Sequence, residues 1–128
     1  MTILLDTHVL IWAAGLPEKL PPAARAAIEN PETEMFYSAA SLWEIAIKSG
    51  MGRADFSVDP RVLRHRLRIN GYSEVPVVGA HAAAVDLLPP IHKDPFDRLL
   101  VAQAQIEGLT LWTADAVLGR YAGSIRVI

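Results

Sequence analysis

Short apolar runs alternate with helix-forming segments along the chain, and this alternation restricts the folds that it can adopt. The segments between the runs carry helix signals, such as proline in a first turn and glycine after a last one. Strands joined through helices pair in parallel, because the connection returns to the same end of the sheet. The sequence therefore predicts an α/β domain with a mostly parallel, doubly wound sheet. Its predicted strands are residues 2–5, 35–37, 74–78, 109–112 and 125–128.

The composition fits a compact globular protein and excludes several classes of site. The 128 residues suit one domain spanning residues 1–128, and 52% apolar against 20% charged residues is far from the composition of disordered chains. Cysteine is absent, which excludes disulfides, a thiolate zinc site and a cysteine nucleophile. No apolar run approaches the roughly 20 residues that cross a bilayer, and no secretory signal is visible. We expect a cytoplasmic protein without membrane association, in which part of the apolar excess covers a subunit interface.

Four carboxylates stand at positions where an unpartnered charge is costly. Asp6 and Asp115 follow apolar strand-like runs, whereas Glu44 and Asp97 lie on strongly apolar helices. An ionised carboxylate moved into an apolar interior loses several kcal/mol unless it is paired, hydrogen-bonded or metal-bound. Ligands collect beyond the carboxyl ends of parallel strands, so Asp6 and Asp115 are expected at one edge of the sheet. The pattern predicts a divalent-metal site that the four acids share.

Asp6 and Glu44 also have simpler roles when each is taken alone. Asp6 can cap the following helix through its carboxylate. Glu44 can form an ion pair with Lys48 four residues later, which contributes only ~0.2–0.5 kcal/mol. The helix over residues 42–49 has almost no other polar side chain, so we predict that it is buried. The ion pair could not offset such burial, which favours metal coordination for Glu44.

Asp97 and Asp115 have similar alternatives. Asp94 can cap the helix that begins at Pro95, and Asp97 then lies in a first turn, where the helix dipole favours negative charge by ~0.3–1 kcal/mol. Asp115 can lie in the first turn of a short helix over residues 116–121, with Thr113 as its cap. These roles explain each acid singly, but not their joint arrangement at strand ends and on apolar helices.

Three arginines form a basic stripe. The net charge of the chain, −2, neither favours nor excludes a nucleic-acid partner. Arg61, Arg64 and Arg68 follow an i, i+3, i+7 pattern on one predicted helix. The side chains available to face the core on that helix are those of Val62, Leu63 and Leu67. A solvated helix face is the favoured interpretation, and contact with a phosphate backbone is the functional alternative.

The chain has four histidines, which are His8, His65, His81 and His92. They show neither zinc-ligand spacing nor a Ser-His-Asp arrangement. We therefore predict that they are non-catalytic, although His92 stands only two residues before Asp94.

Four motifs together resemble the PIN-domain nucleases and, within them, the VapC-type ribonuclease toxins of bacterial toxin–antitoxin systems. The motifs are ILLDTH at residues 3–8, SLWEIAIK at 41–48, HKDPFDRLLVAQA at 92–104 and LWTAD at 111–115. They occur in the order found in the family and span essentially the whole chain. Each motif alone is modestly specific, and the combination is much more so.

The resemblance implies an acidic pocket that both binds metal and catalyses the reaction, formed by Asp6, Glu44, Asp97 and Asp115. It also implies two supporting hydroxyls, those of Thr7 and Thr113. Asp94 could join the pocket or only cap its helix. Carboxylate ligands suit Mg²⁺ or Mn²⁺. The implied fold is a three-layer α/β/α sandwich around a mostly parallel sheet.

The activity implied by the resemblance is metal-dependent hydrolysis of RNA phosphodiester bonds, giving products with a 5′-phosphate and a 3′-hydroxyl. An acidic pocket without metal repels RNA, so a basic rim has to hold the substrate. The candidates for this rim are Lys48, Arg98, Arg61, Arg64 and Arg68. The family also implies a homodimer and a cognate VapB-like antitoxin, a segment of which occupies and silences the groove.

Two other classes of protein remain as alternatives. An aspartyl-phosphate domain of the receiver or haloacid-dehalogenase type also places acids beyond parallel strands. The haloacid-dehalogenase type needs a second aspartate two residues after the first, where this chain has His8, and the acidic pair of a receiver is missing. A non-catalytic interaction protein with the same fold is the other alternative, although the intact carboxylates count against it.

Overall fold

Five parallel strands form the central sheet of the computed structural model, which describes residues 1–128. The order in the sheet is β3-β2-β1-β4-β5, and every neighbouring pair is parallel. The predicted parallel α/β fold is therefore confirmed, and the sheet is wholly rather than mostly parallel. The strands are β1 (Thr2–Leu5), β2 (Glu34–Ser38), β3 (Ser73–Val75), β4 (Thr110–Thr113) and β5 (Ile125–Val127).

Six α-helices connect the strands. Three of them, α2, α4 and α6, have proline in the first turn, where the missing backbone N–H has no helical partner to lose. Helix α6 ends at Gly108, whose φ of 68° is the left-handed conformation that glycine adopts without strain. None of the helices has the length and apolar character needed to cross a membrane. The helices are α1 (Thr7–Gly15), α2 (Pro22–Glu29), α3 (Ala39–Gly50), α4 (Pro60–Ile69), α5 (Gly79–Ala84) and α6 (Pro95–Glu107).

Two apolar cores lie on opposite faces of the sheet. Alternate residues of a strand point to opposite faces, so Ile3 and Leu5 pack into one core and Leu4 into the other. The first core contains apolar side chains of α1, α2, α3 and α4, and the second contains those of α6. This arrangement gives the three layers of an α/β/α sandwich.

The chain reverses its winding direction at β1, the central strand. From β1 it proceeds through β2 to β3 on one side, and it then returns to add β4 and β5 on the other. A crevice forms beyond the carboxyl ends of the strands at such a reversal, which is the usual ligand site of an open α/β sheet. Asp6 directly follows β1, and Asp115 lies two residues beyond β4.

Three predicted elements differ from the structure for local reasons. Strand β3 ends at Val75 rather than at residue 78, because Pro76 has no N–H to donate to a ladder. The predicted helix over residues 80–87 divides into α5 and a 3₁₀ turn, Val85–Leu87. The predicted helix over residues 116–121 is only a 3₁₀ turn, Leu118–Arg120. There the Asp115 carboxylate accepts the Val117 N–H, a local turn bond that competes with a helix.

The prediction that α3 is buried is wrong for one of its sides. Trp43 is 62% exposed and Met51, just after the helix, is 72% exposed, with Ile47 between them also exposed. Spacing of four residues puts these three side chains on one stripe, hereafter the α3 apolar stripe. The opposite side of α3 buries Glu44 and Ile45. Val62 on α4 is likewise exposed, whereas Leu63 and Leu67 face the core as predicted.

Candidate metal centre

Asp6 is buried at the carboxyl end of β1 and is held by two hydrogen bonds. It is 5% exposed, and its Oδ1 caps α1 by accepting the Val9 N–H at 2.9 Å. Its Oδ2 accepts the hydroxyl of Thr113, which ends β4, the neighbouring strand. Burial raises the pKa of Asp6 above its usual value, because the charged form is poorly solvated there. The carboxylate is therefore oriented at a position where a compensating cation would be favourable.

Glu44 is buried on α3 and shares the Lys48 ammonium with Asp94. It is 3% exposed, its Oε1 accepts the hydroxyl of Thr7, and its Oε2 accepts a hydrogen bond from the Lys48 ammonium. The same ammonium lies 3.3 Å from Oδ2 of Asp94. Burial alone would lower the pKa of Lys48, but its bond to Glu44 and the charges of Glu44 and Asp94 raise it. The ion pair considered from sequence is thus present, with one lysine serving two acids.

Asp97 lies among other acids, and its ionised form is disfavoured in the metal-free pocket. Asp94 caps α6 by accepting the N–H groups of Phe96 at 2.8 Å and of Asp97 at 3.3 Å, which places Asp97 in the first turn. Burial, followed by repulsion from Asp94, Glu44 and Asp6, raises the pKa of Asp97 to about 7, against a smaller opposing effect of His92. That repulsion requires the acids to lie close to one another in a partly desolvated pocket.

His92 joins Asp115 to the pocket, a role that sequence reasoning missed. Its Nε2 lies 2.8 Å from Oδ2 of Asp115 and 3.5 Å from Oδ2 of Asp97. The ligating atoms of these three residues all lie within 4.8 Å of one another. Partial burial would raise the pKa of Asp115, but the His92 contact and the Val117 N–H lower it overall. The available signal was the position of His92 in the same motif as Asp94 and Asp97.

The donor set of the pocket fits a hard divalent cation. Five carboxylates meet only one lysine and one histidine, so negative charge is in excess. Carboxylate oxygens are the ligands that Mg²⁺ and Mn²⁺ prefer, and thiolates are absent. The five acids are Asp6, Glu44, Asp94, Asp97 and Asp115.

Arg98, a predicted member of the basic rim, is engaged within the protein. Its guanidinium donates to four backbone carbonyl oxygens at 3.0 to 3.4 Å. These contacts leave it bracing the loop before α6 rather than reaching outward for a phosphate. The four carbonyl groups belong to Val85, Leu88, Pro89 and His92.

The arginine stripe on α4 is exposed, as the solvated-face interpretation predicts. Arg64 forms an ion pair with Glu74 at 2.8 Å, while Arg61 and Arg68 extend into solvent. The hydroxyl of Tyr37 also donates to Glu74, so this corner joins α4 to the sheet. Of the three arginines, Arg64 therefore has the closest structural contact.

Arg53 and His8 lie beside the pocket, around the buried ring of Phe56. Arg53 donates to Asp55 at 2.9 Å, and His8 Nε2 lies 3.1 Å from the same carboxylate. Lys48 Nζ lies 4.8 Å from the centroid of the Phe56 ring, and Arg53 Cζ lies 5.1 Å from it. The Arg53 backbone N–H also donates to the Lys48 carbonyl at 3.1 Å, so Arg53 lies next to the lysine of the pocket. Sequence reasoning missed Arg53, because its nearest motif ends at Lys48.

Comparison with known proteins agrees with this geometry. The family model described as PIN domain matches residues 3–124. Ribonuclease VapC22 of Mycobacterium tuberculosis is 34% identical over 118 residues, which cover 89% of this chain and 87% of that protein. The crystal structure of VapBC2 from Rickettsia felis, bound to a DNA fragment from their promoter, superposes with a TM-score of 0.72 at 14% identity. That match covers 100% of this chain and 99% of the other, and it supports the fold. The chain therefore belongs to the PIN domain family and, within that family, to its VapC-type members.

Proposed function

We propose that this protein is a metal-dependent endoribonuclease and the toxin of a toxin–antitoxin pair. The observation that carries the proposal is the convergence of Asp6, Glu44, Asp97 and Asp115 on one charge-rich pocket at the switch point of the sheet. The name of the mycobacterial relative, a ribonuclease, supports the same chemistry. Because the chain belongs to the PIN domain family, the aspartyl-phosphate alternative is excluded. The remaining alternative hypothesis is a non-catalytic interaction protein with the PIN fold.

The side chains of the pocket would hold Mg²⁺ or Mn²⁺ through the four proposed ligands, with Asp94 as a further carboxylate near them. A bound divalent cation supplies the positive charge that makes water a stronger nucleophile and stabilises the leaving oxygen of a phosphodiester. Thr113 and Thr7 fix the directions of Asp6 and Glu44 by donating their hydroxyl hydrogens. Lys48 keeps an ammonium between Glu44 and Asp94, where it can also attract a phosphate oxygen.

The direct test is cleavage by the purified protein in the absence of antitoxin. We expect it to cut RNA when Mg²⁺ or Mn²⁺ is added and to be inactive in EDTA. Labelling of the product ends is expected to reveal a 5′-phosphate and a 3′-hydroxyl. Protein that binds its antitoxin but cuts no RNA with either metal would establish the non-catalytic alternative.

Arg53 is proposed to hold the RNA backbone beside the pocket. Replacing it with glutamine removes one cation next to Lys48, and we expect KM to rise roughly three- to tenfold while kcat changes little. The log–log salt dependence of RNA binding should lose about one unit of slope, as for one lost phosphate contact. Binding titrations at several salt concentrations measure this.

Arg25→Gln is the matched control for Arg53→Gln. Arg25 also forms a half-exposed ion pair, with Glu29 on α2. The control should retain the wild-type KM and salt slope. Equal effects of the two changes would show that only net charge matters and would remove Arg53 from the binding surface.

The antitoxin is proposed as a VapB-like protein. The Rickettsia felis neighbour was solved as VapBC2, which is the basis for expecting a partner of this kind. A segment of the antitoxin that occupies the groove, as the family resemblance implies, would keep RNA out of the pocket. We expect the cognate antitoxin to inhibit cleavage at near-stoichiometric ratio, which is measured by titrating it into the cleavage assay.

A homodimer is proposed, with the α3 apolar stripe at its interface. Trp43 also packs edge-on against Phe96 at 5.3 Å between ring centroids, so the stripe borders the pocket. Burial of exposed apolar groups of this size by a second subunit is energetically favourable.

The double change Trp43→Ser with Ile47→Ser is expected to convert the dimer into a monomer in sedimentation velocity. Ile69→Ser, at an exposed apolar position on α4, should leave the dimer intact; a dimer that survives the double change would place the interface elsewhere.

A further inference from the structure

The hydrogen bonds of His92 determine which of its ring nitrogens carries the proton. Nδ1 lies 3.0 Å from the backbone nitrogen of Asp94, and a backbone N–H can only donate. Nδ1 must therefore present a lone pair to that group. A neutral imidazole with an accepting Nδ1 has its hydrogen on Nε2.

The Nε2–H group points into the pocket at a carboxylate. Nε2 is 2.8 Å from Oδ2 of Asp115, and the next nearest acid, Asp97, is 3.5 Å away. Distances alone would suggest that His92, Asp97 and Asp115 ligate a metal together. A nitrogen that carries hydrogen has no lone pair for a cation, however. Coordination through Nε2 would move the hydrogen to Nδ1. The Nδ1–H group would then face the Asp94 backbone N–H, and two donors cannot hydrogen-bond to each other.

The loop that carries His92 is fastened from two sides, which keeps the ring in this orientation. The His92 N–H donates to the hydroxyl of Tyr121 at 2.8 Å. The His92 carbonyl is one of the four that accept from Arg98. The first contact ties the loop to the segment after β4, and the second ties it to α6. The imidazole therefore reaches the pocket on a braced backbone rather than on a free loop.

Asp115 is held at both of its oxygen atoms. Oδ1 accepts the Val117 N–H at 2.9 Å, and Oδ2 faces His92. Its own N–H donates to the hydroxyl of Thr113, which also binds Asp6. Each carboxylate oxygen has a second lone pair, so these contacts orient the group and still leave room for a cation.

We propose that His92 is a positioning residue, not a metal ligand: it donates Nε2–H to Asp115 and keeps this carboxylate aimed into a site whose protein ligands are all oxygen atoms. This inference rests on the proposed metal-dependent nuclease function. Partners of ligating groups that act in this way usually change metal affinity by roughly 10- to 100-fold when they are removed. An all-oxygen site also favours Mg²⁺ and Mn²⁺ over cations that prefer imidazole.

Two substitutions separate positioning from coordination. Glutamine can replace the Nε2–H donor of His92 with its amide but cannot supply an imidazole lone pair, whereas alanine supplies neither. We expect His92→Ala to weaken Mn²⁺ binding at least about tenfold, and His92→Gln to remain within about threefold of the wild type. Calorimetric titration of Mn²⁺ into the protein without RNA measures both. Equal, large losses in the two variants would identify His92 as a ligand and overturn the proposal.

His65→Ala is the control, because His65 lies on the exposed side of α4. It should bind Mn²⁺ as the wild type does. Circular dichroism of all three variants checks that the fold is kept, and the glutamine variant remains informative if the alanine variant unfolds.

A spectroscopic measurement tests the tautomer without any variant. Long-range ¹H–¹⁵N correlation spectra of the full-length protein are expected to show the Nε2–H form of His92, both alone and with saturating Mg²⁺. An Nδ1–H form in either state would overturn the proposal. RNA cleavage is scored separately: a protein that shows the expected tautomer and glutamine rescue but cuts no RNA refutes the nuclease function and leaves the His92 assignment intact.

Discussion

Replacing Asp6 with asparagine is expected to lower kcat/KM for RNA cleavage by at least about 10³-fold, which corresponds to roughly 4 kcal/mol of lost transition-state stabilisation. The reason is the loss of a buried anionic ligand at the switch point of the sheet. Asparagine keeps the shape of the side chain, and its amide oxygen can still accept the Val9 N–H that caps α1. The Thr113 hydroxyl can rotate to accept from the new amide group. The fold should therefore survive.

The measurement is steady-state cleavage of one RNA substrate together with thermal unfolding in EDTA. Because burial disfavours the charged form of Asp6, the variant should be at least as stable as the wild type without metal. Asp86→Asn, which removes an exposed carboxylate from the turn after α5, is the matched control and should be fully active. A folded Asp6→Asn protein with activity within tenfold of wild type would contradict the proposed metal site.

The second large effect is on the stability of the metal-free protein as the pH changes. The native-state pKa of Asp97 is raised to about 7, whereas an unfolded chain has an aspartate pKa near 3.9. Between these values the folded state binds more protons than the unfolded state, so the free energy of unfolding falls as the pH rises. The expected loss is on the order of 2–4 kcal/mol between pH 4 and pH 8, or roughly 7–15 °C in Tm.

Asp97→Asn removes the contribution of this carboxylate to the pH dependence. In EDTA at pH 8 the variant should melt at a higher temperature than the wild type, and its Tm should change much less between pH 5 and pH 8. Saturating Mn²⁺ should raise the Tm of the wild type and have little effect on the variant, because the cation relieves the same repulsion. Calorimetric melts across this range measure all three quantities. Parallel pH profiles for the two proteins would show that Asp97 is not the strained carboxylate.

The fold could largely be predicted because the sequence signals that begin and end its helices and strands are local. The Asp94–Pro95 start and Gly108 end of α6 follow from capping chemistry, and the structure has both. The central strand β1 has the predicted bounds, since an apolar run is closed there by Asp6. Errors occurred where one contact decides the outcome, as when the Asp115 carboxylate binds the Val117 N–H and replaces a helix with a turn.

Features that depend on tertiary contacts could not be predicted from the sequence. The apolar face of α3 predicts burial equally well against the core or against a second subunit, so the exposure of Trp43 was not foreseen. His92 and Arg98 have spacings that fit no metal or phosphate motif. Their roles come from groups 23 and 13 residues distant, Asp115 and the Val85 carbonyl, and only folding brings these together.

The hydrogen bond between Asp6 and Thr113 joins side chains 107 residues apart. During synthesis, β1 leaves the ribosome first, but the strand beside it at this position, β4, emerges only when most of the chain has been made. A nascent chain therefore contains the first acid long before the strand that orients it. Closure of this long loop, rather than formation of local helices, is expected to limit the rate at which the pocket is completed. Until that step, a partly translated chain is expected to lack the proposed nuclease activity.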